Sequence, residues 1–453
     1  LELNQVALIL LTMTNLSLTF GTDGVRGRAG SELTEEMVKT LGLSAASYLG
    51  SDQVIIGRDT RESSPSFEKA LAQGFKAGGI EPLLLGVAPT PAVAHLANIS
   101  EVAGAMVSAS HNPWWDNGIK LFSSGGHKLD DATQLQIETS WHENLSTSVP
   151  RIESFTSISL DSWTNSVLDS TTHLIFDGIK MVLDCANGAM SEFAPEVMRN
   201  LGAEVVVIHN NPDGKNINQE CGATHLTSLQ KAVIDNAAEV GFAFDGDGDR
   251  VIAVSSEGQI LDGDHLLALI SVDRFEDGKL TDDTVAITVM ANLGLRRVLS
   301  AKGIKTFETP VGDRYVLEAL ESNNWDVGGE QSGHIVISEF ATTGDGLLTA
   351  VQTLAAARKR EREIGLWAKE LVEKSPQVLV NLPVTKSGAG LVEQASDLIE
   401  EMKQELGDNG RIVVRPSGTE PLVRIMVEAL DELAAQQVAN SLEASISALD
   451  NTP

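Results

Sequence analysis

A serine at the end of an apolar run, three aspartates at alternate positions and an Arg-Pro-Ser-Gly-Thr turn are the parts of this chain whose spacing could do chemistry. In MVSASHNPWWDNGIK, Met106 to Lys120, the apolar run stops at Ser108-Ala109-Ser110, and a histidine, an Asn-Pro turn and a lysine follow. Ser110 therefore sits where a strand enters a turn, with its hydroxyl free to be a nucleophile. A free serine is weak and needs activation or a pre-formed phosphoryl ester. No Gly-x-Ser-x-Gly elbow is present, so an acyl-transfer triad has poor support.

DGDGDR, Asp245 to Arg250, follows the apolar run VGFAF. An isolated Asp-Gly pair reads as a surface turn. Asp245, Asp247 and Asp249, relieved only by glycines, instead suit one hard cation, with Mg²⁺ and a phosphoryl oxygen as the natural completion. An EF-hand loop is excluded, because its sixth position would be Arg250 rather than Gly and its twelfth Ser256 rather than Glu. A phosphorylated Ser110 beside such a cation would be stabilised electrostatically, with Lys120 and Arg250 offsetting the remaining negative charge.

RPSGTEP, Arg415 to Pro421, offers backbone N–H groups, hydroxyls and a guanidinium, the ingredients of either an anion site or a structural Ser-Gly turn. In GGEQSGH, Gly328 to His334, a strand-like loop would point Glu330 and Ser332 the same way, toward adjacent sugar hydroxyls. His334 reads equally as a structural histidine or a ligand. FGTDGVRG (20–27) and GRDTR (57–61) supply Arg26, Arg58 and Arg61 near turns. Arginines beside aspartates are usually structural; Arg26 could also hold a phosphate.

These turns need rigid elements behind them. Short β-rich runs alternate with helical stretches: QVIIGRD (53–59) precedes SFEKALAQGFKAGG (66–79), then IEPLLLG (80–86), and the rhythm recurs up to NLGLRRVLSAKG (292–303). Such alternation predicts α/β layers with largely parallel sheets. The tail loses the rhythm, which predicts a smaller α+β domain after a linker near Glu373 to Gln377. At 453 residues, with 42% apolar content, several packed domains are expected. The balance of 33 basic against 63 acidic residues, net −30, disfavours nucleic-acid binding and requires a locally basic cleft for any anionic substrate. Two cysteines, Cys185 and Cys221, without Cys-x-x-Cys spacing favour a reducing cytoplasm. The apolar run VALILL (6–11) is too short to span a membrane, and no basic residue precedes Arg26. Residues 1–12 read as an upstream extension, with Met13 as the natural start.

FGTDGVRG, SASHNP…DNGIK, DGDGDR, GGEQSGH and RPSGTEPLVR, in that order, resemble the α-D-phosphohexomutase superfamily. PDGKNINQECGATH (212–225), VMANLGL (289–295) and TPVGDRYV (309–316) look like its amino-sugar branch, although Ala291 stands where serine is common. The resemblance implies three related α/β domains with mixed, largely parallel sheets, plus a smaller C-terminal α+β domain, around a central cleft. The expected boundaries are 13–165, 166–262, 263–372 and 373–453. By position, Ser110 would be the phosphoserine, and it would bind Mg²⁺ together with Asp245, Asp247 and Asp249. Arg250 would contact the phosphoryl group, and Arg26, His111 and Lys120 would surround the transfer, with Lys120 moving the proton. Glu330 and Ser332 would hold sugar hydroxyls; Arg415, Ser417, Gly418 and Thr419 would hold the non-reacting phosphate. The implied protein is a cytoplasmic isomerase, a homodimer by family habit. It would move a phosphoryl group between the 6- and 1-positions of a hexosamine phosphate through a hexose 1,6-bisphosphate, supplying amino-sugar nucleotide synthesis. Glucose or mannose phosphates are the alternative substrates. A metal-dependent phosphatase and a non-catalytic sugar-phosphate binder are the competing classes.

Overall fold

The computed structural model describes residues 18–21, 23–152, 154–171, 176–417 and 421–452. Residues 1–12, Met13, Gly418 and Thr419 lie outside the described residues.

The alternation in the sequence becomes three mixed sheets. The first runs in the order Val25–Arg28, Asp116–Phe122, Ala103–Val107, Gln53–Arg58, Glu81–Val87, Thr156–Ser157. The second runs Ile260–Leu261, Val251–Ser255, Val240–Phe244, Lys180–Asp184, Glu204–Ile208. The third runs Lys305–Thr309, Thr284–Thr288, Val327–Gly329, Ile335–Ile337. In each, strands joined through helices pair in parallel, and a hairpin adds antiparallel pairing. The central strands Ala103–Val107, Val240–Phe244 and Thr284–Thr288 are buried along their whole length, which is why they read as unbroken apolar runs rather than alternations.

The tail forms a three-stranded antiparallel sheet, Gln377–Pro383, Leu422–Glu428 and Arg411–Pro416, covered by the helix Glu432–Asn451. Its core, including Leu391, Val423, Ile425 and Leu442, is separate from the large core that the second and third sheets share. The expected linker at 373–377 is not loose: Ser375 is buried, and its backbone N–H donates to Asn292 Oδ1 at 2.9 Å. Asn292 in turn donates to Glu428 Oε1 at 2.9 Å, tying the last sheet to the third.

The four chemical motifs occupy equivalent places. Three are tips of antiparallel hairpins, 108–118 after Ala103–Val107, 245–250 between Phe244 and Val251, and 330–334 between Gly329 and Ile335. The described part of the fourth, Ser417, directly follows Arg411–Pro416, which pairs antiparallel with Leu422–Glu428. A hairpin tip has no ladder partner for its backbone, so its polar groups are available to neighbouring units or ligands.

Behind the Ser110 hairpin, helices Glu35–Ala45 and Ser64–Ala77 cross in backbone contact at Gly42 and Gly74. A Cβ on Gly74 would lie 2.0 Å from the Lys39 carbonyl oxygen, part of a helix backbone that cannot swing aside. Gly74→Ala should therefore destabilise the protein by about 1–3 kcal/mol or more. Calorimetry should show a lowered thermal midpoint, and an unchanged midpoint would contradict the close crossing.

Candidate active site

Ser110 is fully buried and has a left-handed backbone, φ 52°, which is unfavourable for a residue with a Cβ. Surrounding hydrogen bonds hold it there. Its N–H donates to Ser108 Oγ at 2.9 Å, and its carbonyl accepts from Arg61 Nη2 and Asn218 Nδ2, each at 2.8 Å. Arg61, only 1% exposed, also donates to the carbonyls of Asn112, Pro113 and Asp116, and its Nε donates to Asp59 Oδ2 at 2.7 Å. The five guanidinium N–H groups are thus spent on one loop and one buried carboxylate. Asp59 also accepts from Ser108 Oγ at 2.7 Å and Ser64 Oγ at 2.6 Å.

The Ser110 hydroxyl is not free, as its place in the sequence suggests. It donates to Asp245 Oδ2 at 2.6 Å, because the 245–250 hairpin of the second sheet packs directly on this loop. A Cβ on Gly246 would lie 2.6 Å from the Ser110 carbonyl oxygen, so glycine permits the approach. Asp245, Asp247 and Asp249 are all buried, with one carboxylate oxygen of each within 4.8 Å of the others. Lys120 Nζ lies 2.8 Å from both Asp247 Oδ2 and Asp249 Oδ2 and 2.9 Å from Asp23 Oδ2. Thr90 Oγ1 donates to Asp247 Oδ2 at 2.6 Å.

The charges set the local chemistry. Burial, reinforced by Asp249 and Asp247, pushes the Asp245 carboxyl well above the usual carboxylate range. Burial opposes the Asp249 charge too, yet Lys120 holds that carboxyl well below the range. Burial likewise works against Lys120, but Asp23, Asp247 and Asp249 keep it charged. His111, beside Ser110 with Nδ1 3.4 Å from the hydroxyl, is pushed down to about 4 by burial and then by Arg250 and Arg26, so it is neutral at pH 7. Asp247 Oδ1 and Asp249 Oδ1 are buried without a hydrogen-bond partner. Buried carboxylate oxygens left unpaired within an aspartate trio fit a hard divalent cation.

Some of the other expected residues line two separate cavities. Arg250, His111 and Ser332 line one of about 380 Å³ together with Asp245 and Gln331. Glu330 and Ser332 do face one another, with Ser332 Oγ donating to Glu330 Oε2 at 3.4 Å, but they lie on a tight turn rather than a strand, since Gly333 N–H donates to the Glu330 carbonyl. That turn docks on the second sheet through Val251 N–H to the Gly333 carbonyl at 3.2 Å. Arg415 and Ser417 line a larger cavity of about 910 Å³, with Arg314, Tyr315, Arg424 and Phe20. Arg26 lies at the site's edge, bonded to Asp23 at 2.5 Å and to Asn112 at 3.4 Å.

Several site residues escape sequence reasoning. Asp23, bridging Lys120, Lys128 and Arg26, was visible only as part of FGTDGVRG. Asn218 was visible only as part of PDGKNINQECGATH, and Thr90 carries no local signal; each reaches the site from a distant segment. His334 is buried, its Nε2 accepts from Gly344 N–H at 3.1 Å, and its Nδ1 lies 3.8 Å from Asp249 Oδ1.

A serine delivered into an aspartate cluster, with separate basic turns around a cleft, is the arrangement expected of a phosphosugar mutase, and similarity to known proteins agrees. Residues 17–148, 161–258, 262–375 and 379–445 match domains I, II, III and the C-terminal domain of phosphoglucomutase/phosphomannomutase. The chain belongs to this family of phosphohexomutases. A protein of Salinispora arenicola named phosphoglucosamine mutase is 46% identical, over 93% of this chain and 97% of that one. Among solved structures, a phosphoglucomutase/phosphomannomutase family protein from Burkholderia thailandensis shares the fold at TM-score 0.80, with 22% identity over 97% of this chain and 98% of that chain. Aspergillus fumigatus N-acetylphosphoglucosamine mutase, solved with GlcNAc-6P and magnesium, does so at 0.70, with 17% identity and 96% of each chain covered. Among the described residues no helix is long and apolar enough to cross a membrane.

Arg61→Lys keeps a cation beside Asp59 but cannot replace five directed donors. The loop should relax, and kcat of the mutase reaction should fall by about 100-fold, because small misplacements of a reacting group cost that much. Steady-state kinetics with circular dichroism as a fold control test this; wild-type kcat in a folded variant would remove Arg61 from the positioning of Ser110.

Proposed function

We propose that this chain is a phosphoglucosamine mutase, interconverting glucosamine 6-phosphate and glucosamine 1-phosphate through a phosphoserine at Ser110 and a bisphosphorylated hexosamine. The observation that carries the reading is the Ser110 hydroxyl, held 2.6 Å from Asp245 within a buried aspartate trio that has unpaired oxygens. The name borne by the 46% identical relative supports the amino-sugar substrate over glucose or mannose phosphates.

Asp245, Asp247 and Asp249, with the Ser110 phosphoryl group, would hold Mg²⁺, which when bound neutralises charge on the transferring phosphoryl group. The chain's own residues do the rest. A sugar hydroxyl attacks phosphorus and the bond from phosphorus to Ser110 Oγ breaks. Lys120, charged among its carboxylates, supplies the proton that Oγ takes up, and the resulting amine accepts the proton leaving the sugar hydroxyl. Arg250 and Arg26 counter the charge of the phosphoryl group. Glu330 and Ser332 orient sugar hydroxyls, while Arg415 and Ser417, with Gly418 and Thr419, hold the phosphate that is not reacting. The hexosamine 1,6-bisphosphate then turns end over end, so that its other phosphate returns to Ser110. The units 13–165, 166–262, 263–372 and 373–453 each contribute one hairpin tip to this cycle. Both cysteines are free, consistent with a cytoplasmic enzyme that supplies amino-sugar nucleotide synthesis.

Ser110→Ala should leave the fold intact and remove nearly all turnover, while wild-type protein incubated with bisphosphate should carry one phosphate on the Ser110 peptide. Full activity in the alanine variant, or persistence of wild-type activity after thorough chelation, would exclude this mechanism.

An acceptor-rich site should favour a protonated C2 amine over a neutral hydroxyl. The kcat/KM for glucosamine 6-phosphate should exceed that for glucose or mannose phosphates by at least roughly tenfold, about 1.4 kcal/mol of discrimination. Equal turnover of the neutral sugars, measured side by side with the same activator, would favour a phosphoglucomutase/phosphomannomutase activity instead.

A further inference from the structure

The segment PDGKNINQECGATH does more than mark a family branch: it brings Cys221 beside two polar groups that the phosphoryl transfer does not use. Asp184 ends the strand Lys180–Asp184, and His209 directly follows its parallel neighbour Glu204–Ile208, so both stand at the carboxyl edge of the second sheet. Cys221 arrives from the loop beyond. One ligand atom of each, a carboxylate oxygen, an imidazole nitrogen and Sγ, lies within 4.8 Å of the others.

The arrangement is built rather than incidental. Gly222 N–H donates to Asp184 Oδ2 at 3.0 Å and Ala186 N–H to Asp184 Oδ1 at 2.9 Å, which fixes the fully buried carboxylate against the cysteine loop. A Cβ on Gly222 would lie 2.7 Å from the Phe244 carbonyl oxygen, so the loop cannot retreat. Cys221 is itself fully buried. His209 Nδ1 lies 3.1 Å from Asp184 Oδ2, and this pairing, against partial burial, raises the imidazole pKa above its ordinary value. A cation bound here would take the place of the proton held between imidazole and carboxylate and would also reach the thiol.

We infer that Asp184, His209 and Cys221 form a second cation site, distinct from the aspartate trio, that takes a borderline-soft divalent cation of the zinc class. The donor set decides the class: mixed O, N and S ligands suit Zn²⁺ or Co²⁺, whereas Mg²⁺ demands oxygen throughout. Three protein ligands leave a further position for water. On binding, the S–H bond of Cys221 breaks, sulfur bonds the cation, and the proton leaves to solvent.

The site is coupled to the Ser110 loop through a short path. Three residues before Cys221, Asn218 donates to the carbonyls of Ser110 at 2.8 Å and Asn112 at 3.1 Å. A cation gripping Cys221 therefore anchors the loop that clasps the reacting serine.

Cobalt titration of the full chain in excess Mg²⁺, which keeps the aspartate trio occupied, tests the site. One equivalent of Co²⁺ should produce a thiolate-to-cobalt charge-transfer band in the near-ultraviolet. The band should vanish in Cys221→Ser and persist in Cys185→Ser and Asp247→Asn. His209→Gln, at a position 30% exposed and so the gentler change to the fold, should weaken cobalt binding by roughly tenfold or more with both thiols intact. A wild-type protein without the band, a band that survives Cys221→Ser, or unchanged affinity in folded His209→Gln would each overturn the site. None of these readouts depends on the sugar or on Ser110 phosphorylation, so they stand or fall apart from the mutase reading.

Discussion

The buried guanidinium of Arg61 is the interaction on which the reacting centre depends. A charged group this far from water is costly unless its charge is paired and its donors are used. Asp59 supplies the charge, and four carbonyls of the 110–116 loop take the remaining donors. The same bonds that satisfy the arginine hold Ser110 in a left-handed conformation it would not otherwise keep. The backbone of Ser110 and the buried arginine therefore stabilise each other, through the serine carbonyl rather than its hydroxyl.

From that fixed loop, opposed charges draw the neighbouring units inward. Asp23 and Lys120 come from the first sheet's region, and Asp247 and Asp249 from the second; the lysine binds all three carboxylates at once. Lys128 carries the network to Asp313 of the third unit. In a chain of net charge −30, Arg26, Lys120, Lys128 and Arg250 gather here, and Arg314, Arg415 and Arg424 line the larger cavity. At the larger cavity three arginines against Asp131 and Glu308 leave a positive balance that favours an anionic ligand.

One structural device is used four times. In the three α/β units, buried apolar strands end in antiparallel hairpins whose tips present polar groups to the cleft, and the edge strand Arg411–Pro416 of the tail leads to Ser417 in the same way. The fourth copy differs in having its own small core and a polar attachment through Glu428, Asn292 and Arg411 to the third sheet. Its union with the rest thus rests on directed hydrogen bonds, not on a shared apolar interior.

Local patterning made the strands and the motif identities readable in the sequence. Runs such as VGFAF and TVAIT can only be buried strands, and DGDGDR concentrates so much like charge that a cation is the natural answer. Those features depend on neighbours in the chain, so the chain alone determined them. Three-dimensional packing decided the rest. The Ser110 hydroxyl meets Asp245 across 135 positions, and Asn218 and Thr90 join from separate segments whose sequence does not say what they will touch. Arg61 read as a structural arginine beside an aspartate, and its burial beneath the hairpin made it the centre of the loop. Glu330 and Ser332 fell on a turn instead of a strand because Gly333 docks against Val251 of another sheet. Contacts between distant segments are set by which surfaces fit and which charges balance, and that is information the order of residues holds only when the whole chain has folded.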